Sequence, residues 1–320
     1  VPVNAVFESM SGITTTGATV VVSFEAHPRG LLFWRQLLQW LGGLGILVLA
    51  VGLLSQLEVG GAQLMETETR TQDVTKLTPR ISQTARLIGG LYVALTGLVV
   101  VVLLGLNLLG LAPEMGPYNA VAHALTSVST AGFSPEAESA GAFSPAAQWV
   151  LVAAMLVGAT NFVLLYALVR GRFHRLRESE ELWFYLGIVA AASALLVVVL
   201  EFDRGFAELE PTVRHAVFQV TSIVTTTGYA TVDFDLWSPA AKHLLFLGMF
   251  VGGMAGSTTC SIKSFRWLVV VKTLRRDLFT EIHPDAVRPI RVGGTVVDEG
   301  TIRDVNAYVV LSLLIFAFLT

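Results

Sequence analysis

The sequence predicts an all-helical membrane protein that crosses the bilayer several times and carries short re-entrant segments between its spans. Three observations carry this expectation. The 320 residues are 53% hydrophobic and only 14% charged, with a mean hydropathy of +0.67, far more apolar than a soluble chain. Long apolar stretches recur, each near the roughly twenty residues that a bilayer demands. Between them, short apolar segments of about a dozen residues end in Thr-Gly or Ala-Gly, too short to cross.

The short segments read FESMSGITTTGATV (7–20), HALTSVSTAGFSP (123–135) and TSIVTTTGYATVDF (221–234). Aligned on Gly17, Gly132 and Gly228, each places Thr or Ala before the glycine and hydroxyl side chains before that. The glycines are 115 and 96 residues apart, so the chain repeats with a period near 100. A half-length helix ending in Thr-x-Gly between apolar spans predicts a re-entrant loop whose bare carbonyls replace the water around a dehydrated cation. Glycine suits such a loop because carbonyls facing one axis need backbone angles that a side chain forbids. The expected cation ligands are Thr15, Thr16, Gly17, Thr130, Ala131, Gly132, Thr226, Thr227 and Gly228, above all the aligned Thr15, Thr130 and Thr226.

After the first loop, 31–57 is a long span. Its start, WRQLLQW, sets Arg35, Gln36 and Gln39 between Trp34 and Trp40, which suits a membrane interface. Within it, Gly42, Gly43 and Gly45 let another helix pack closely. Residues 58–86 form a polar connector broken by Pro79, and 87–109 is the second span. The third is 146–170, closed by RGRFHRLR, and the fourth is 182–200. A fifth, 241–274, is interrupted by FVGGMAGSTTCSIKSFRW (250–267). Residues 272–303 are a charged connector with Pro284, Pro289 and the Gly293-Gly294 pair, and a last span starts at Asn306. The chain begins at Val1 without Met, inside an expected short helix, and stops inside a span at Thr320, which reads as a fragment.

Basic residues set the expected topology. Arg70, Lys76, Arg80 and Arg86 share one connector, Arg170, Arg172, Arg175 and Arg177 the next, and Arg275, Arg276, Arg288, Arg291 and Arg303 the third. The positive-inside rule makes these connectors cytoplasmic and opens all three loops outward. Glu25, Glu136, Glu138, Asp233 and Asp235 then follow the loops on the outer side, where carboxylates concentrate cations. Glu8, His123 and Gln219 lie within the short helices and are expected to hold them by hydrogen bonds. Helices entering from outside aim their negative C-terminal ends at the cation.

In the interrupted span, Gly252, Gly253, Gly256, Ser257, Thr258 and Lys263 break an apolar helix, so this stretch is expected to lie beneath the pore and obstruct it as a gate, with the Lys263 charge repelling cations. The competing reading is a kink with Lys263 reaching for the cytoplasmic surface. An enzyme fits poorly. GSTTCSIKS lacks the glycine that a phosphate loop places before its lysine, and a Cys260 or Ser261 nucleophile has no base in the expected span interiors. The single cysteine excludes an internal disulfide and a multi-cysteine metal site. A non-transporting membrane scaffold is the other alternative.

Together the three loops, WRQLLQWLGGLGILVLAV and VGGMAGSTTCSIKSFRW resemble the Trk/Ktr/HKT superfamily of potassium transporters, most closely its bacterial Trk-type membrane subunits. The resemblance covers essentially the whole chain. It implies tandem outer-helix, pore-helix and inner-helix (M1–P–M2) repeats around a pseudo-fourfold pore. The corresponding division is 1–57 for the first repeat without its outer helix, 58–86 for a cytoplasmic connector and 87–177 for the second repeat. Residues 178–276 are the third repeat, 277–305 a second connector and 306–320 the start of the fourth repeat, whose own loop is expected beyond Thr320.

The resemblance further implies potassium uptake through a filter containing Gly17, Gly132 and Gly228, gated by Gly252 to Lys263. It implies a homodimer in lipid at a prokaryotic plasma membrane, a cytosolic nucleotide-binding regulatory subunit, no bound cofactor and no nucleic acid. Cys260-Ser261 stands where relatives commonly carry two glycines, and Gly17 stands where some sodium-passing plant relatives carry serine. A sodium-coupled or sodium-permeable transporter of the same superfamily is the alternative.

Overall fold

A computed structural model describes residues 2–54, 81–204 and 209–319. Among these the chain is helical almost throughout. In order come α1 (Pro2–Ile13), α2 (Arg29–Leu54), α3 (Ile81–Leu108), α4 (Pro117–Val128), α5 (Pro145–Gly158) and α6 (Phe162–Val169). They continue as α7 (His174–Glu178), α8 (Glu180–Arg204), α9 (Leu209–Val224), α10 (Pro239–Gly248), α11 (Ser264–Ile282) and α12 (Glu299–Leu319). A two-stranded antiparallel ribbon, β1 (Arg291–Val292) and β2 (Thr295–Val296), separates α11 from α12. Most of the connector at 58–86, with Arg70, Lys76, Pro79 and Arg80, lies outside the described residues.

Four helices are long and apolar enough to cross a membrane, over Arg29–Leu49, Ala85–Leu108, Glu180–Asp203 and Glu299–Phe318. At most a third of each apolar window is buried inside the protein, which leaves the remaining side chains for lipid. The chain is thus an all-helical, multi-pass membrane protein. Short helices α1, α4 and α9 are wedged among the long ones: α4 packs on α2, α3 and α5, and α9 on α5, α8 and α10. Two inner helices start with the same signal. Ser144 caps α5 and Ser238 caps α10, each followed by proline at the first helical position, where a missing N–H costs nothing.

Several sequence expectations shift. The span expected at 146–170 is broken, because α5 and α6 meet at a 105° bend across 159–161. Asn161 is the physical reason, since its side-chain oxygen accepts the Val163 and Leu164 N–H groups and starts a new helix. The fourth span is longer than 182–200 and takes in Glu181 and Glu201 near its two ends, both buried. The connector expected at 277–305 is helical at both ends, belonging to α11 up to Ile282 and to α12 from Glu299. Between them Gly293 and Gly294 both take positive φ in the two-residue hairpin turn, which the charge pattern had concealed. Ile290 and Val297 flank this ribbon and join Phe265, Val269, Ile302 and Val305 in a small core between α11 and α12.

Candidate ion pathway

Each short helix ends in the same way. The N–H of Thr15 bonds to Gly12 O, and that of Thr16 to Ser11 O. The pairs Thr130 to Ser127 O and Ala131 to Thr126 O repeat this, as do Thr226 to Ile223 O and Thr227 to Ser222 O. This is a Schellman end, and its left-handed position normally belongs to glycine. Here Thr15, Thr130 and Thr226 occupy it, at φ +55°, +50° and +54°. Left-handed backbone costs a β-branched residue roughly 1–2 kcal/mol, and it recurs at three aligned positions. Two residues on, Gly17, Gly132 and Gly228 are left-handed again, at +78°, +82° and +85°. Left-handed residues at every second position turn successive carbonyls away from the alternation of a β-strand.

The three segments meet edge to edge. A Cβ placed on Gly17 would lie 2.3 Å from the carbonyl oxygen of Ala131, the residue before Gly132. On Gly132 it would lie 1.8 Å from the carbonyl oxygen of Thr227, the residue before Gly228. One geometric relation therefore carries the first segment onto the second and the second onto the third. Side chains repeat the step: Phe133 lies under the Arg35 guanidinium at 4.1 Å, and Tyr229 packs on His123 and bonds to Thr126.

Each segment is also pinned to its own helix. Ser11 Oγ donates to Ala18 O, and the aligned Ser222 Oγ to Tyr229 O. Glu8 accepts from Thr19 Oγ1, Val20 N–H and Arg35, His123 Nε2 pairs with Ser134 Oγ, and Gln219 donates to Val232 O. Glu8, His123 and Gln219 thus hold the returning strand as well as the helix.

The WRQLLQW expectation is overturned. Arg35, Gln36 and Gln39 are buried, because they form one polar face of α2 turned inward. Gln39 clamps the second segment around Gly132, donating to Ala131 O at 2.8 Å and accepting from Phe133 N–H at 2.9 Å. The signal was available in the sequence, since three polar residues at positions i, i+1 and i+4 share one side of a helix. The glycine expectation for α2 holds at Gly42, which faces Ile13 O, and Gly43, which faces Ser129, whereas Gly45 has open space.

Beneath the segments lies the irregular stretch between α10 and α11. It is a folded loop closed on itself by Gly252 N–H to Ile262 O and Ser264 N–H to Gly253 O, far more than a kink. Gly256 (φ +73°) turns its tip against Asn161. Thr258 Oγ1 bonds to Thr130 Oγ1 at 2.9 Å and to Gly158 O at 3.0 Å, while Cys260 N–H donates to Thr226 Oγ1 at 3.0 Å. The loop therefore engages two of the three left-handed threonines. Lys263 does not reach for the surface. Its ammonium lies among loop oxygens, donating to Thr259 O, to Thr259 Oγ1 at 3.0 Å and to Ser257 at 3.5 Å.

On the opposite side of the segments is a cavity of about 860 Å³ lined by Glu25, Glu114, Glu136 and Glu138 together with His27 and Arg29. Asp233 and Asp235 stand apart from it, in the turn before α10, where Asp233 accepts the Asp235 N–H. Glu114 escaped the sequence analysis because it precedes its short helix instead of following its loop; it accepts the Ser144 N–H. Among the described residues no group of three or more His, Cys, Asp or Glu could hold a metal ion.

Comparison with known proteins agrees with this architecture. The chain is 38% identical over 325 residues to the Trk system potassium uptake protein TrkH of Halomonas elongata, covering 98% of this chain and 65% of that protein. It is 35% identical over 317 residues to the protein of the same name in Escherichia coli K12, covering 98% and 64%. The crystal structure of the potassium transporter TrkH from Vibrio parahaemolyticus superposes with a TM-score of 0.85 at 33% identity, covering 98% of this chain and 64% of that one. The chain spans just under two thirds of the length of these relatives. The sequence model of TrkH, described as a cation transport protein, matches residues 2–200 and 182–320, and the chain belongs to that family.

Proposed function

We propose that this chain forms most of the pore of a potassium uptake protein, with carbonyl and hydroxyl oxygens of Thr15, Thr16, Thr130, Ala131, Thr226 and Thr227 lining the ion's path beside Gly17, Gly132 and Gly228. The observation that carries the reading is the repeated left-handed Thr-x-Gly backbone whose members touch in sequence, Gly17 on Ala131 and Gly132 on Thr227. Such strain persists where a site requires it. The relatives named for potassium uptake support the ion's identity, and the family's description supports transport over an enzyme or an inert scaffold.

Residues 249–263 act as a gate in this reading, since they bond to Thr130 and Thr226 on the side of the segments that faces away from the acidic cavity. Ions enter from that cavity, move through the ring of oxygens and pass when the loop leaves the threonines. The protein works as a homodimer in a prokaryotic inner membrane, with its connectors in the cytosol. Arg170, Arg172, Arg175 and Arg177 there offer a docking surface to a nucleotide-binding regulatory subunit.

Rubidium uptake by potassium-starved cells carrying the full-length gene tests the pore. Gly132→Ala adds one methyl against the Thr227 carbonyl and is expected to abolish flux while the protein still inserts. Unchanged flux at normal insertion would contradict the proposal. Excess sodium that competes as well as potassium would favour a sodium-permeable member of the superfamily.

A further inference from the structure

Glu181, in the first turn of α8, lies outside both the segments and the loop, yet it is buried and only 6% exposed. Its Oε1 accepts two bonds, from Ala255 N–H at 2.8 Å and from Ser264 Oγ at 2.8 Å. Ala255 belongs to the loop's outgoing limb and Ser264 is the first residue of α11, where the loop ends. One carboxylate oxygen therefore ties both limbs to a third helix. The loop's ties to Asn161, Ala159 and Gly158 at the elbow and to Thr130 and Thr226 join neutral groups. Removing a buried acceptor leaves both of its donors unsatisfied, which costs more than the bonds are worth net.

We infer that Glu181 is the positioning residue of the gate, the group that fixes how firmly the loop is held against the left-handed threonines. It acts through Ala255 and Ser264. The adjacent Glu180 is its natural contrast. That side chain is partly exposed and pairs with Lys272 of α11, which also donates to Arg291 O of the ribbon. An exposed pair of this kind contributes little.

The inference rests on the gate reading, and the experiment separates the two. Basal rubidium flux per inserted protein is measured in proteoliposomes for the full-length protein, for Glu181→Ala, Glu181→Gln, Ser264→Ala and Glu180→Gln, and for a variant with 252–261 shortened. Deuterium labelling of the 252–261 backbone amides, resolved by peptide mass, reports loop release independently of flux. Glu181→Ala is expected to raise flux about tenfold, as loss of two bonds to a buried acceptor from the closed state alone implies, and to speed that labelling. Glu181→Gln keeps an acceptor oxygen and should show a smaller rise, as should Ser264→Ala, while Glu180→Gln matches the parent. Potassium-over-sodium preference stays unchanged in every full-length variant, which general unfolding would not allow. If Glu181→Ala fails to insert, Glu181→Gln and Ser264→Ala decide by the same readouts. Flux and labelling unchanged at Glu181 while the shortened loop conducts freely would overturn the role of Glu181 alone. A shortened loop that leaves flux unchanged would overturn the gate, and the inference with it.

Discussion

The helices that follow the second and third Thr-x-Gly or Thr-Ala-Gly segments are both interrupted, in opposite ways. Between α5 and α6 the break is three residues and turns the chain by 105°. Between α10 and α11 it is fifteen residues, from Met249 to Lys263. The short break caps its own next helix, through the Asn161 side chain. The long one cannot supply all its own partners, so it borrows them: Met254 N–H bonds to Ala159 O, Gly256 O accepts the Phe162 N–H, and Asn161 donates to Ala255 O. The long break thus bonds to four other parts of the molecule: the elbow, Thr130, Thr226 and Glu181.

The contrast can be broken most severely by removing the long break. Shortening 252–261 is expected to raise basal rubidium flux by on the order of tenfold or more, the size of a typical coupling between a switch and its site. The same measurement on a chain with 159–161 altered to a continuous helix should show loss of insertion instead. Thr258→Val is next. It removes the bonds to Thr130 Oγ1 and Gly158 O, each worth about 1 kcal/mol net, and should raise basal flux several-fold without changing the protein's Tm in detergent by more than a few degrees.

Asn161 then divides support from gate. Asn161→Ala loses both the cap, about 1 kcal/mol, and the bond to Ala255 O, whereas Asn161→Asp keeps the capping oxygen and loses only the donor. Thermal unfolding should fall for Ala and little for Asp, while flux rises in both. Flux that follows stability instead would merge the two breaks into one structural role. The smallest effect is expected at α2. Gly45→Ala meets nothing within 4 Å and should stay within about 0.5 kcal/mol of the parent, while Gly42→Ala drives a methyl to 2.1 Å from Ile13 O and should cost several times that.

Much of this was legible in the sequence, and the reason is repetition. A single Thr-x-Gly is common, but three with aligned hydroxyls fix both the short helices and the loops that follow. What repetition could not reveal is what differs between copies. The elbow at 159–161 contains no proline or glycine, and its signal is only an asparagine inside an apolar run. Gln39 looked like an interface residue because Trp34 and Trp40 flank it, although its face of α2 turns inward. The two bonds of Glu181 reach residues more than seventy positions away, and no local pattern reports such a contact. Lys263 invited an electrostatic reading from its charge alone, and no local pattern reported the bonds its ammonium makes to Ser257 and Thr259.

The arrangement of Gly17, Gly132 and Gly228 beside a shared path bears the rest, and anomalous diffraction from crystals of the full-length protein grown in rubidium measures it most directly. The account predicts an anomalous peak enclosed by the carbonyl oxygens of Thr16, Ala131 and Thr227 and the threonine oxygens below them. A well-ordered filter region with no rubidium there, and a peak elsewhere in the protein, would contradict it.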